Sequence, residues 1–164
     1  MRTLPKACLA VTLLLLLTAI ETRSQTEKRP LVPEIRMQTP AGDAWSLSEH
    51  RGKVIVLNFW ATWCEPCRTE KPMLDRLAKE LADDGLLIAG ISLDDGNTDL
   101  VKKFVDEYKI GYTILMAAPD SPWAQIDNLP TTILVDKMGR MAQKYVGAVP
   151  EDELRKDLEA LLNE

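Results

Sequence analysis

The chain is 164 residues long, 46% hydrophobic and 27% charged, with a formal net charge of −5. That length suffices for one domain with a real core, and the composition is that of a globular rather than a disordered protein. The acidic balance argues against nucleic acid and against anionic lipid surfaces as partners.

Residues 1–24 differ from the rest. Arg2 and Lys6 precede an apolar run over 7–20, "ACLAVTLLLLLTAI", and the polar "ETRSQTEKRP" follows. This is the layout of a secretory signal peptide. The run is shorter than the roughly 20 residues of a full span, yet a tilted N-terminal membrane anchor is also compatible with it. Five consecutive leucines at 13–17 fit a buried core helix poorly. No clean A-x-A site follows, so the leader is expected either to be cleaved or to stay as an anchor. It carries a net +2, which leaves −7 on residues 25–164. Cys8 stands at the start of the apolar run, the wrong end for a lipoprotein cysteine. Cys64 and Cys67 are then the only thiols of an exported domain, in a compartment that permits disulfides.

Residues 25–35, with Pro30 and Pro33 and no periodicity, read as a tether to a domain over 36–164. The stretch 41–53 reads as turns with short extended pieces, and His50 as a solvated turn residue. "VIVLNFWA" (54–61) is a continuous β-branched and aromatic run, the mark of a buried central strand. A helix is expected from Glu65 to Leu81, with Leu74, Leu77, Ala78 and Leu81 on one face and a kink at Pro72. "LLIAGISL" (86–93) is a second buried strand. A helix over 97–109 follows, capped by Thr98, with Val101, Phe104, Val105 and Tyr108 on one face. Strands at 112–117 and 131–136 come next. The short turn 137–140 allows only a hairpin into 141–148. A last helix over 151–163 aligns Leu154, Leu158, Leu161 and Leu162. Strands alternating with helices, then a hairpin and a closing helix, describe a layered α/β domain with a mixed sheet.

The two cysteines fall on this map at an informative place. Cys64 lies where a helix begins after a buried strand, so unpaired N–H groups and the positive end of the helix dipole converge on it. That environment stabilises a thiolate, the nucleophile of disulfide exchange. Cys67, one turn on, lies on the same face and can reach back. Cys64 is therefore the expected nucleophile and Cys67 the resolving thiol. Two cysteines so close would constrain the unfolded chain little, so a redox role outweighs a stabilising one. A zinc site would need two further ligands, and only His50 is available.

"NFWATWCEPC", Pro72 five residues past Cys67, and "LPTT" at 129–132 together resemble the thioredoxin superfamily. More narrowly they resemble its exported TlpA/ResA/DsbE-like thiol–disulfide oxidoreductases, whose domain is also described as redoxin or AhpC/TSA-like. The likeness runs over about residues 33–163 and includes "SLSEHRGKVIVLNFW" and "VDKMGR". It implies a thioredoxin-like fold with an N-terminal β extension and a strand and helix inserted before "LPTT". It implies no cofactor beyond a redox-active Cys64–Cys67 disulfide. It also implies a cis Leu129–Pro130 bond facing the cysteines, with Leu129, Pro130 and Thr131 forming a loop that pairs with a substrate strand, and Trp63 as a rim of that groove.

Two departures from thioredoxin matter. Asn58 stands where thioredoxin carries a buried Asp, and an amide cannot exchange a proton. Glu70, three residues past Cys67, is placed for general acid–base work on the resolving thiol, as the Glu of ResA-like members is. The plainer alternative is a solvated helix charge. Glu65 and Pro66 lie between the cysteines, and Glu65 is read as an electrostatic modulator. Acids near Cys64 oppose its thiolate and so push the pair towards being a reductant. Trp60 is read as core, and Trp45 and Trp123 as packing only.

The resemblance implies a protein-disulfide reductase in the bacterial periplasm or on the outer face of the cytoplasmic membrane. Its substrates would be protein disulfides, apocytochrome c among them. A membrane electron donor of the DsbD/CcdA type would recharge it, and it would act as a monomer. A peroxiredoxin shares the fold but needs a Pro seven before its cysteine and a Thr or Ser three before; here those positions hold Leu57 and Ala61. A copper-binding thioredoxin-fold chaperone would space its cysteines one residue wider and add a downstream His, and this chain has neither.

Overall fold

A computed structural model describes residues 28–164, and Leu31–Glu164 forms one compact unit. The leader and its anchor alternative, with Cys8 and residues 25–27, lie outside the described residues. Among the described residues no helix is long and apolar enough to cross a membrane.

The sheet is built around β3 (Val54–Trp60), whose seven residues are all buried. It is flanked by β4 (Leu86–Ser92), parallel to it, and by β6 (Thr131–Val135), antiparallel. The β3-to-β4 connection is a crossover through α1 (Glu65–Glu80), as a parallel pair requires. Beyond β4 lie β5 (Thr113–Met116), then β1 (Arg36–Gln38) and β2 (Ala44–Ser46); beyond β6 lies β7 (Met141–Val146). The spatial order is β2-β1-β5-β4-β3-β6-β7. The expected hairpin is the antiparallel β6–β7 pair. Two further α-helices are α2 (Thr98–Tyr108) and α3 (Glu151–Leu162).

Because side chains alternate along a strand, β3 feeds two cores. Val54, Val56 and Trp60 join a cluster with Leu74 and Leu77 of α1, Val101 and Phe104 of α2, and Leu154 and Leu158 of α3. Ile55, Leu57 and Phe59 join a second cluster with Ile35, Leu47, Ile91 and Ile133. Trp60 is core as expected, Trp45 packs in the second cluster, and Trp123 stacks on Phe59. His50 stacks on Trp45 at the end of the turn Leu47–His50.

Two expectations are corrected. Residues 31–35 are not the end of a tether: Leu31 bridges Arg140, the Val32 N–H donates to the Gly139 carbonyl, and Val32 and Ile35 are buried. Two prolines hid these apolar anchors, because a single extended strap has no periodicity to read. The cap of α2 is Asn97, not Thr98; its side chain accepts from the Leu100 N–H at 3.2 Å. Pro72 lies inside α1 on the exposed face, with the helix continuing on both sides of it.

Candidate active site

The end of β3 delivers the chain to α1 through Ala61–Thr62–Trp63. Asp94, buried just past β4, fastens this turn. Its carboxylate accepts from the Thr62 N–H at 3.1 Å, the Thr62 hydroxyl at 2.7 Å and the Ser92 hydroxyl at 2.8 Å. Cys64 is the N-cap of α1, in extended conformation, and its sulfur accepts from the Cys67 N–H at 3.3 Å. Pro66 occupies the first turn of the helix, where a missing N–H costs nothing. Cys64 and Cys67 form a disulfide, with Cα atoms 5.3 Å apart. Cys64 is 5% exposed and Cys67 fully buried.

Beneath the pair lies a buried polar group of four side chains. Asn58 of β3 is fully buried, and both ends of its amide are engaged. Its Nδ2 donates to Glu70 Oε1 at 2.7 Å and to Thr132 Oγ1 of β6 at 3.1 Å. Its Oδ1 accepts from Lys71 Nζ at 2.8 Å. Lys71 is buried and lies over the Trp60 ring, 4.2 Å from the centroid. Glu70 Oε2, by contrast, is buried with no partner among the described residues. Gly90, opposite Asn58 in the β3–β4 register, leaves room for this: a Cβ there would lie 3.2 Å from Trp60 Nε1 and 2.9 Å from Ile114 Cδ1.

The electrostatics follow from burial. Loss of water pushes the Glu70 carboxyl above its ordinary value, against the pull of the Asn58 hydrogen bond and the Lys71 charge. The same loss lowers Lys71 to about 7, with Glu70 opposing. Tyr112, just before β5, is raised well above its ordinary value by burial, then by the charges of Glu70 and Asp75.

Glu70 is therefore not a solvated helix charge. Glu65 does point into solvent, and Arg68 pairs with it at 3.3 Å, so the acid beside Cys64 is partly offset. Trp63 is 73% exposed next to the disulfide. The Leu129–Pro130 bond is cis. Leu129 is half-buried, and neither its N–H nor its C=O is paired among the described residues, while the Pro130 carbonyl accepts from Gly147 N–H. Thr131 is buried, its hydroxyl donating to the Asn128 carbonyl at 2.7 Å. Among the described residues no three His, Cys, Asp or Glu side chains gather as a metal site.

Sequence reasoning passed over Lys71 and Asp94. Lys71 carried a signal: Cys67, Lys71, Leu74, Leu77, Ala78 and Leu81 continue one helical stripe backwards from the leucines. Asp94 carried none, since "SLDDG" reads as an ordinary polar turn.

The comparisons with known proteins agree with this geometry. The family model described as AhpC/TSA family matches residues 30–158. The chain belongs to that family. It is 33% identical over 132 residues to the thioredoxin-like protein YneN of Bacillus subtilis, covering 77% of this chain and 76% of that one. It is 30% identical over 131 residues to the thiol-disulfide oxidoreductase ResA of Geobacillus kaustophilus, covering 79% and 75%. A crystal structure of a secreted thiol-disulfide isomerase from Corynebacterium glutamicum superposes with a TM-score of 0.72 at 27% identity, covering 81% and 86%. With the Cys64–Cys67 disulfide at a helix N-cap, the AhpC/TSA protein described here is a thiol–disulfide oxidoreductase of the ResA/DsbE type with a thioredoxin-like fold. Within that family the peroxiredoxin alternative meets the same obstacle as before: buried Leu57 stands in place of the proline, and buried Ala61 has no hydroxyl to offer.

Proposed function

We propose that this oxidoreductase is an exported protein-disulfide reductase in which Cys64 attacks, Cys67 resolves and Glu70 takes the resolving proton. The observation that carries this reading is the buried Glu70 carboxyl one helical turn beyond the fully buried Cys67. A thiol with no access to water needs a neighbouring base, and a carboxyl raised towards neutrality suits that task.

The reduced protein starts with a Cys64 thiolate, stabilised by the N-terminus of α1, and a Cys67 thiol. Cys64 attacks one sulfur of a substrate disulfide and releases one substrate thiolate. The Cys67 thiol then passes its proton to Glu70, and its thiolate attacks Cys64 Sγ. The Cys64–Cys67 disulfide forms, the second substrate thiolate leaves, and two electrons have passed to the substrate. Trp63 and the 129–131 loop line the approach, where the free backbone of Leu129 suits an extended substrate strand. Glu65 modulates Cys64, and Pro66 shapes the helix start.

Export is supported by the charged and apolar leader and by the secreted relative in C. glutamicum. The place of action is then the periplasm or the outer face of the cytoplasmic membrane. Exported substrates there include apocytochrome c, whose haem-attachment cysteines must be reduced. A membrane donor of the DsbD/CcdA type would return the electrons by a dithiol, and the domain would act as a monomer. The deciding measurement is the reduction potential of Cys64–Cys67, equilibrated against thiol–disulfide buffers and read by alkylation. A value near or below about −270 mV supports a reductase, and one near −120 mV makes it an oxidant and overturns the reading.

A further inference from the structure

We propose that Lys71 is a positioning residue for the exchange reaction, acting through the Asn58 amide to fix which oxygen of Glu70 receives the proton. This deepens the reading just given and rests on Glu70 as the base for Cys67.

The argument is one of donors and acceptors. In its charged form, below about pH 7, Lys71 donates and cannot accept. At 2.8 Å from Lys71 Nζ, the Asn58 atom must therefore be its oxygen. The NH₂ group then faces the other way and spends both hydrogens, one on Glu70 Oε1 and one on Thr132 Oγ1. Glu70 Oε1 thus already spends one of its two lone-pair sites on Asn58, while both sites of Oε2 are open. The proton from Cys67 goes to Oε2, the buried oxygen with no hydrogen-bond partner among the described residues.

Without Lys71 nothing holds the amide in this sense. A half-turn about its axis would present Oδ1 to Glu70 Oε1, and the Thr132 hydroxyl can donate as readily as accept. Glu70 would then keep a proton on Oε1, bonded to Asn58 and of no use to Cys67. Loss of the lysine charge acts in the same direction, because that charge opposes protonation of Glu70.

Few other groups compete for control of the pair. From α1 itself the neighbours are the two cysteines and, one turn on, Asp75, which is engaged by Lys79 and the Gly111 N–H. Ahead of β5 stands Tyr112, its hydroxyl buried and without a partner among the described residues, neutral across the working range because burial raises it. On β3 the facing residues are Asn58 and Trp60, on β4 Gly90, on β6 Thr132 and on α2 Phe104, none of them titratable.

The test uses the full chain and oxidised glutathione as the disulfide. Stopped-flow measurement separates the attack of Cys64, which forms the mixed disulfide with glutathione, from its resolution by Cys67. The resolution rate is followed from pH 5 to pH 9 in the parent, Lys71→Met, Lys71→Arg, Glu70→Gln and the Glu70→Gln/Lys71→Met double variant. In the parent this rate rises through an inflection that Glu70→Gln removes. Lys71→Met moves the inflection up by at least one pH unit and slows resolution about tenfold at pH 6, Lys71→Arg restores the parent profile, and the double variant matches Glu70→Gln alone. If Lys71→Met keeps the parent inflection while Glu70→Gln abolishes it, the inference about Lys71 fails and the proposed function stands. If Glu70→Gln keeps the inflection, Glu70 is not the base, and both readings fall. Should Lys71→Met lack the near-UV circular dichroism of the folded parent, Lys71→Gln carries the same comparison.

Discussion

The two sulfurs of one disulfide, three residues apart on one helix, face different surroundings. The Cys64 side is open: Trp63 and Glu65 stand in solvent, and Arg68 answers Glu65 across the helix surface. The Cys67 side is closed, and beneath it Asn58, Glu70, Lys71 and Thr132 are all within 5% of complete burial. On the open side charges are screened, and a surface pair is worth little. On the closed side each charge keeps its strength and each hydrogen bond counts. The difference separates two tasks: meeting many substrates at one sulfur, and moving one proton at the other.

The largest effect should come from cutting the two sides apart. Cys67→Ser leaves Cys64 able to attack but removes the thiol that resolves. A mixed disulfide with substrate should accumulate, and turnover should fall at least a thousandfold; non-reducing gels and mass spectrometry of the intact complex would show it. Rapid turnover in this variant would mean the closed side is not needed.

Next is the cost of a buried ammonium. The folded state holds Lys71 at about 7 against an ordinary value of 10.5. Between those values the unfolded chain binds more protons, so stability rises with pH over that window. Lys71→Met removes this term. Denaturant unfolding at pH 7 and pH 9.5 should show the parent gaining a few kcal/mol relative to the variant as pH rises. Equal slopes would place the amine in contact with solvent.

A smaller effect is expected at the hinge between the sides. Asp94→Ala frees the Thr62 N–H and hydroxyl and should cost about 2 kcal/mol of stability. It should also weaken protection of the Thr62 and Cys64 amides in hydrogen exchange while leaving α3 unaffected. The smallest effect lies on the open side. Glu65→Gln removes a solvent-exposed charge already paired with Arg68. It should raise the reduction potential by less than about 15 mV. A shift several times larger would show that the open side is less well screened than its exposure implies.

How much of this was legible depended on the kind of residue. β3 was plain because a buried strand inside a parallel pair must be apolar on both faces, and Asn58 stood out as its polar exception. Cys64 was legible because strand, turn and helix fix the N-cap. Glu70 was legible in place but ambiguous in state, since an acid on a helix is usually wet. Lys71 was harder for the same reason: its type argues for solvent, and only its spacing from Leu74 and Leu77 argues otherwise. Asp94 acts across 32 residues of sequence, a relation no local pattern encodes. The strap at 31–35 was missed because its anchoring depends on Gly139 and Arg140, over a hundred positions downstream.

Gly90 gives the closed side a vulnerability of another kind. It carries no chemistry, and its backbone does not demand glycine; what it contributes is the absence of one methyl group. An alanine there would meet Ile114 at 2.9 Å and Tyr112 at 3.1 Å, and would press on the indole of Trp60 at 3.2 Å. That indole is the ring against which the ammonium rests. A wedge with no ionisable atom of its own would thus reach the proton relay through ring displacement, so the chemistry of this site depends on free volume as well as on charge.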